Sequence, residues 1–103
     1  MLETLTRDDF AQRVNETFRL DLGADFPGVD AIELTLVEAK AIELSQDHGD
    51  RRAPFSLLFR GPAEPVLNQS TYPLDNGTLG RLEIFLVPIG PDQDGMCYEA
   101  VFY

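Results

Sequence analysis

The sequence predicts a mainly β domain of the α+β class: a small antiparallel β-barrel or sandwich of about six strands with one short N-terminal helix. Three observations predict it. Apolar and polar residues alternate with period two in several short segments. Clusters of Gly, Pro, Asn, Asp and Ser separate those segments at short intervals. Helical spacing occurs only at the start. The chain is 103 residues long, 44% hydrophobic and 25% charged, which fits one globular domain over residues 1–103 with its own core.

The helix is expected over residues 7–15. Thr6 is a good N-cap, and Asp9 lies three residues on, where a negative charge favours a helix N-terminus. Leu5 and Phe10 hold the two positions of a hydrophobic staple. Phe10 and Val14 share a face, four residues apart. About two turns are too few to be stable alone, so this helix must dock on the rest of the chain.

From Thr17 the period becomes two. Phe18, Leu20 and Leu22 alternate with Arg19 and Asp21, predicting a strand over 17–22. GADFPGVD is a loop. Residues 31–42 form the next strand, where Ile32, Leu34 and Leu36 alternate with Glu33 and Thr35. The phase then slips to Val37, Ala39 and Ala41, so a β-bulge or a bend is expected near Leu36-Val37. Helix is the competing reading there, because Glu, Ala, Leu and Lys are helix formers.

Further strands are expected over 54–60 (Phe55, Leu57 and Phe59 on one face), 70–75, 80–88 and 96–103. The two prolines and Gly61 of GPAEPVLNQS mark a loop. Asn76-Gly77 is a strong hairpin signal. Leu82, Ile84 and Leu86 form one apolar face of the fifth strand, and Phe85 and Val87 make its other face apolar too. That strand is therefore expected to be central and covered on both sides. Tyr98, Ala100 and Phe102 alternate in the last strand, which should pair with the fifth across Asp92-Gln93-Asp94-Gly95 while the helix covers an open end.

The charge balance is 18 acidic against 8 basic residues, net −10. Nucleic-acid binding needs a basic stripe to neutralise phosphates, and the densest basic cluster is Arg51-Arg52 beside Asp50. Neither nucleic acid nor an anionic membrane is an expected partner. Cys97 is the only cysteine, so no intrachain disulfide forms. The first residues lack a basic and apolar leader, and no apolar run reaches the roughly 18 residues of a membrane span. The expected compartment is the cytoplasm.

No catalytic motif emerges. Phosphate-cradling glycine loops and a nucleophile elbow are both missing from the sequence. A Cys97–His48 pair is conceivable, but no motif brings the two together. Asp92, Asp94 and Glu99 resemble the start of a calcium loop. However, calcium needs six to eight oxygens in a longer pattern, and Asp and Gly equally serve a tight turn. A turn is the favoured reading, and no cofactor is expected. Phe85, Val87, Val101 and Tyr103 are candidate interaction residues: if exposed, they would give the molecule an adhesive edge.

The leading LTRDDF, the run VNETFRL, the central APFSLLFRGP and the closing LGRLEIFLVPIGPDQDGMCYEAVFY resemble a family of small bacterial proteins known only as a domain of unknown function. The resemblance spans Leu5 to Tyr103, and FSLLFRGP and the FLVPIGPD…GMCYEAVF tail are its most specific parts. It implies a bacterial cytoplasmic protein from the neighbourhood of phage-tail-collar-like genes, and no catalytic residues. The functional expectation is a non-enzymatic protein-interaction or assembly module, accessory to a phage-tail-like structure, with a protein partner or a second copy. The alternative is a small-ligand or calcium-binding β-barrel.

Overall fold

The computed structural model describes residues 5–21, 31–42 and 54–102. Among them a helix, α1 (Arg7–Ala11), precedes six strands: β1 (Thr17–Asp21), β2 (Ala31–Ala41), β3 (Phe55–Gly61), β4 (Ser70–Asn76), β5 (Gly80–Asp92) and β6 (Gly95–Phe102). The strands close into one antiparallel barrel in the order β1-β2-β3-β6-β5-β4. Arg19 opposite Asp75 joins β1 to β4 and completes the ring. Of the two predicted architectures, the barrel is the one formed.

Period-two patterning becomes an inside and an outside. In β3, Phe55, Leu57 and Phe59 are buried while Ser56, Leu58 and Arg60 face outward and are half-buried. Direct cross-strand partners share a face, so Phe55 meets Phe102, Leu57 meets Ala100, and Phe59 meets Tyr98 inside the barrel. Phe18 packs edge-on against Phe59, ring centroids 5.2 Å apart. The expected slip in β2 is a bulge: the register shifts between Leu36 and Glu38, leaving Val37 as the extra residue.

The helix is shorter than the predicted 7–15. It stops at Ala11, and residues 12–15 form a turn that ends at Asn15 with φ +75°. Asn is among the few residues that tolerate this left-handed region. The Asn15 N–H donates to the Leu36 carbonyl (2.8 Å), and the Leu36 N–H donates to that of Glu16 (3.1 Å). Sheet pairing captures the chain before a second turn is complete. At the helix start, the Thr6 N–H donates to the Asp9 carboxylate at 2.8 Å. Phe10 is fully buried against Phe55 and Phe102, so α1 covers the barrel end where β3 begins and β6 finishes.

The opposite end is covered by a loop. Strands β3 and β4 are not neighbours, so residues 62–69 must cross the barrel mouth. They carry Leu67 into the core, fully buried, and its N–H donates to the Tyr98 hydroxyl at 2.8 Å. This contact satisfies the polar tip of a buried tyrosine.

Two details of the predicted strands change. The β4–β5 hairpin forms, but Asn76 pairs with Gly80 across a three-residue loop, and Gly80 (φ +80°) supplies the left-handed turn residue. Strand β5 runs past 88 to Asp92, through a bulge between Pro88 and Gly90 (φ +128°). The expectation that β5 is covered on both faces is corrected, because Phe85 is 48% exposed. Closing the sheet gives each strand one core face and one outward face, and Leu82, Ile84 and Leu86 take the core face. No helix among the described residues is long and apolar enough to cross a membrane.

Candidate functional site

Two places hold the residues singled out from the sequence. The first is the β5–β6 turn. Asp92 pairs with Gly95, leaving Gln93 and Asp94 at the tip. The Asp92 Oδ1 accepts the N–H groups of Asp94 (2.8 Å) and Gly95 (3.0 Å), a local hydrogen-bonding pattern typical of Asp in turns. Its Oδ2 accepts Arg60 Nε (2.9 Å) and Nη2 (2.6 Å) from β3, and the Cys97 thiol lies 3.3 Å away as a further donor. Gly95 has φ +150°, and a Cβ there would collide with the Gly61 carbonyl oxygen. Only glycine lets the turn lie this close to the end of β3.

These contacts set the chemistry. The Arg60 hydrogen bonds, then the Asp94 N–H and the Cys97 thiol, hold the Asp92 carboxyl well below the usual carboxylate range. Burial, reinforced by the Asp92 hydrogen bond and charge, pushes the Cys97 thiol up. A nucleophilic cysteine needs the opposite shift, toward thiolate at neutral pH. His48 lies outside the described residues, so the geometry of a Cys97–His48 pair does too.

The calcium candidates do not assemble around a common point. Asp92 has both oxygens engaged by donors, and a carboxylate offers about four lone-pair sites in all. Asp94 lines an open cleft of about 540 Å³ with Glu33, Thr35, Arg60, Pro62 and Glu64. Glu99 sits instead on the outer barrel wall, directly between Val87 and Leu58. Among the described residues no group of three His, Cys, Asp or Glu side chains is placed to hold a metal ion.

The second place is that outer wall. Phe85 and Val101 are 48% and 40% exposed, and Val87 is half-buried on the same face of β5. Leu58 of β3, half-buried opposite Glu99, extends the patch. Tyr103 lies outside the described residues. Sequence reasoning missed Leu58, and it missed Ile89, which is 53% exposed. The signal for Ile89 is the segment Val87-Pro88-Ile89-Gly90: a proline inside a strand with a glycine two residues on marks a bulge, and bulges re-aim side chains.

A family model described as Domain of unknown function (DUF6916) matches residues 5–102. The chain belongs to this family. No curated protein and no solved structure matches it. In this DUF6916 domain two segments far apart in the sequence are spatial neighbours. FSLLFRGP supplies β3, the tail supplies β6, and they meet with Arg60 opposite Cys97 and Gly61 opposite Met96.

Proposed function

We propose that this DUF6916 domain is a non-enzymatic protein-interaction or assembly module that docks a partner through the outer wall of β5 and β6. One observation carries the reading: Phe85 and Val101, on adjacent strands, leave 48% and 40% of their surfaces in solvent. Exposed apolar side chains on neighbouring strands are what protein interfaces use. The turn chemistry supports the same reading, because Arg60 neutralises Asp92 and the Cys97 thiol is held protonated. Following the family resemblance, the reading takes the bacterial cytoplasm as the compartment and a phage-tail-like assembly as the structure served.

The test is quantitative co-purification from the native host with wild-type protein and Phe85→Ser, which removes the apolar ring without adding charge. A stoichiometric partner lost from the variant, with its melting temperature unchanged, is the expected result. A partner retained equally by both proteins, or none captured by a well-folded wild type, overturns the docking reading.

A further inference from the structure

Resting on that docking reading, we infer that the partner segment seated on the outer wall is apolar and basic, placing a Lys or Arg against Glu99 beside the side chain that covers Phe85 and Val101. The register carries the argument. Glu99 lies between Val87 and Leu58, and the next outward residue along β6 is Val101. Glu83 precedes Phe85 on the outward face of β5, and Glu38 lies opposite Leu58. Among the described residues none of these three carboxylates makes an ion pair.

Of the described cations on this wall, Arg60, opposite Cys97, is already held by Asp92, and the other two stand at its margins. Lys40 is opposite Ser56, which is itself opposite Val101, and Arg81 faces Asp75. A partner that covers Phe85 and Val101 therefore also covers Glu99. Burying a carboxylate without a counter-charge costs several kcal/mol or more. An uncharged apolar partner loses much of its gain that way, whereas a cation beside the apolar anchor matches Glu99, with Glu83 and Glu38 as further attraction at the rim. A second copy of this chain is a poor occupant, since two bodies of net charge −10 repel.

The probe is a random-peptide display library panned on the full chain, with enriched peptides then measured on wild type, Glu99→Gln and Phe85→Ser. The expected peptides join Leu, Phe, Trp or Met to Lys or Arg. Glu99→Gln should weaken them at least about tenfold, as loss of one matched, desolvated charge pair does. Added salt should weaken wild type more than Glu99→Gln, and Phe85→Ser should abolish binding. Acidic or uncharged winners, or affinity unchanged in Glu99→Gln, overturn the basic-partner inference while leaving the docking face intact if Phe85→Ser still abolishes binding. Binding indifferent to Phe85→Ser removes the docking face itself. No enriched peptide, or a homodimer that Phe85→Ser dissolves, also overturns the inference.

Discussion

Asn76 is the place to test how this barrel is held together. It is the buried polar residue of the described core, 5% exposed. Its Nδ2 donates to Glu16 Oε1 and to the Thr17 carbonyl, both at 3.2 Å. Its Oδ1 accepts the N–H groups of Thr78 and Leu79, both at 2.9 Å. One side chain thus shapes the β4–β5 turn and ties it to the start of β1, beside the point where the ring closes. Each such hydrogen bond contributes about 0.5–1.5 kcal/mol net. The Thr78 and Leu79 groups are at least partly exposed, so water replaces part of what they lose. Asn76→Ala should therefore cost about 2–3 kcal/mol, or about 10–20 °C in melting temperature for a chain of this size.

Thermal and urea unfolding followed by circular dichroism will measure that loss. Asn76→Asp keeps an oxygen to accept the Thr78 and Leu79 N–H groups but loses both donated bonds and sets a second carboxylate against Glu16, so it should destabilise at least as much at neutral pH. The Glu16 carboxyl is held below its ordinary value first by Asn76 and then by Arg13. It should move upward in Asn76→Ala, which an NMR titration reads independently of stability. A loss under about 0.5 kcal/mol, the size of an ordinary surface substitution, would refute the keystone role of Asn76. So would a Glu16 titration unmoved by the substitution.

The turn gives three further predictions. Gly95→Ala should lower stability by about 3 kcal/mol or more, from the strained φ and the collision with Gly61; Gly77→Ala, where nothing lies within 4 Å of the added methyl, should change it by under about 0.5 kcal/mol, and equal melts for the two would sink the packing argument. The Asp92 carboxyl is lowered in the fold from its ordinary 3.8, so its contribution is present above that value and lost as pH falls through the lower folded value. Wild type should then lose more stability than Asp92→Asn below about pH 4, and parallel acid-unfolding curves would contradict this. Finally, about 5 mM calcium should leave the melting temperature unchanged, since binding to the native state alone must raise it; a rise abolished by Asp92→Asn would restore the metal reading.

Why the exposed wall was misjudged is instructive. Leu82, Ile84 and Leu86 fill one face and Phe85 and Val87 follow Glu83 on the other, which is the pattern of a strand buried on both sides. The same pattern arises where a barrel wall carries apolar residues outside, and local periodicity does not distinguish the two cases. Cys97 shows the converse. It faces outward by alternation, yet is only 8% exposed among neighbours that include Arg60 opposite it and Asp92 within hydrogen-bonding reach. Leu67, in a loop marked by prolines, gave no periodic signal at all and is fully buried, because its segment crosses the barrel mouth.

Local chemistry was enough to read the short helix and its cap, the inward faces of the strands, an irregularity near Leu36-Val37 and the turn role of Asp92 and Gly95. Each depends on residues a few positions apart and on the fixed period of an extended chain. The tertiary structure alone decided that the sheet closes into a barrel and that β3 neighbours β6. It alone brought Arg60 to Asp92, 32 residues away, and left Phe85 facing water. Those outcomes depend on which strands lie side by side, and strand pairing is settled by the packing of the whole core.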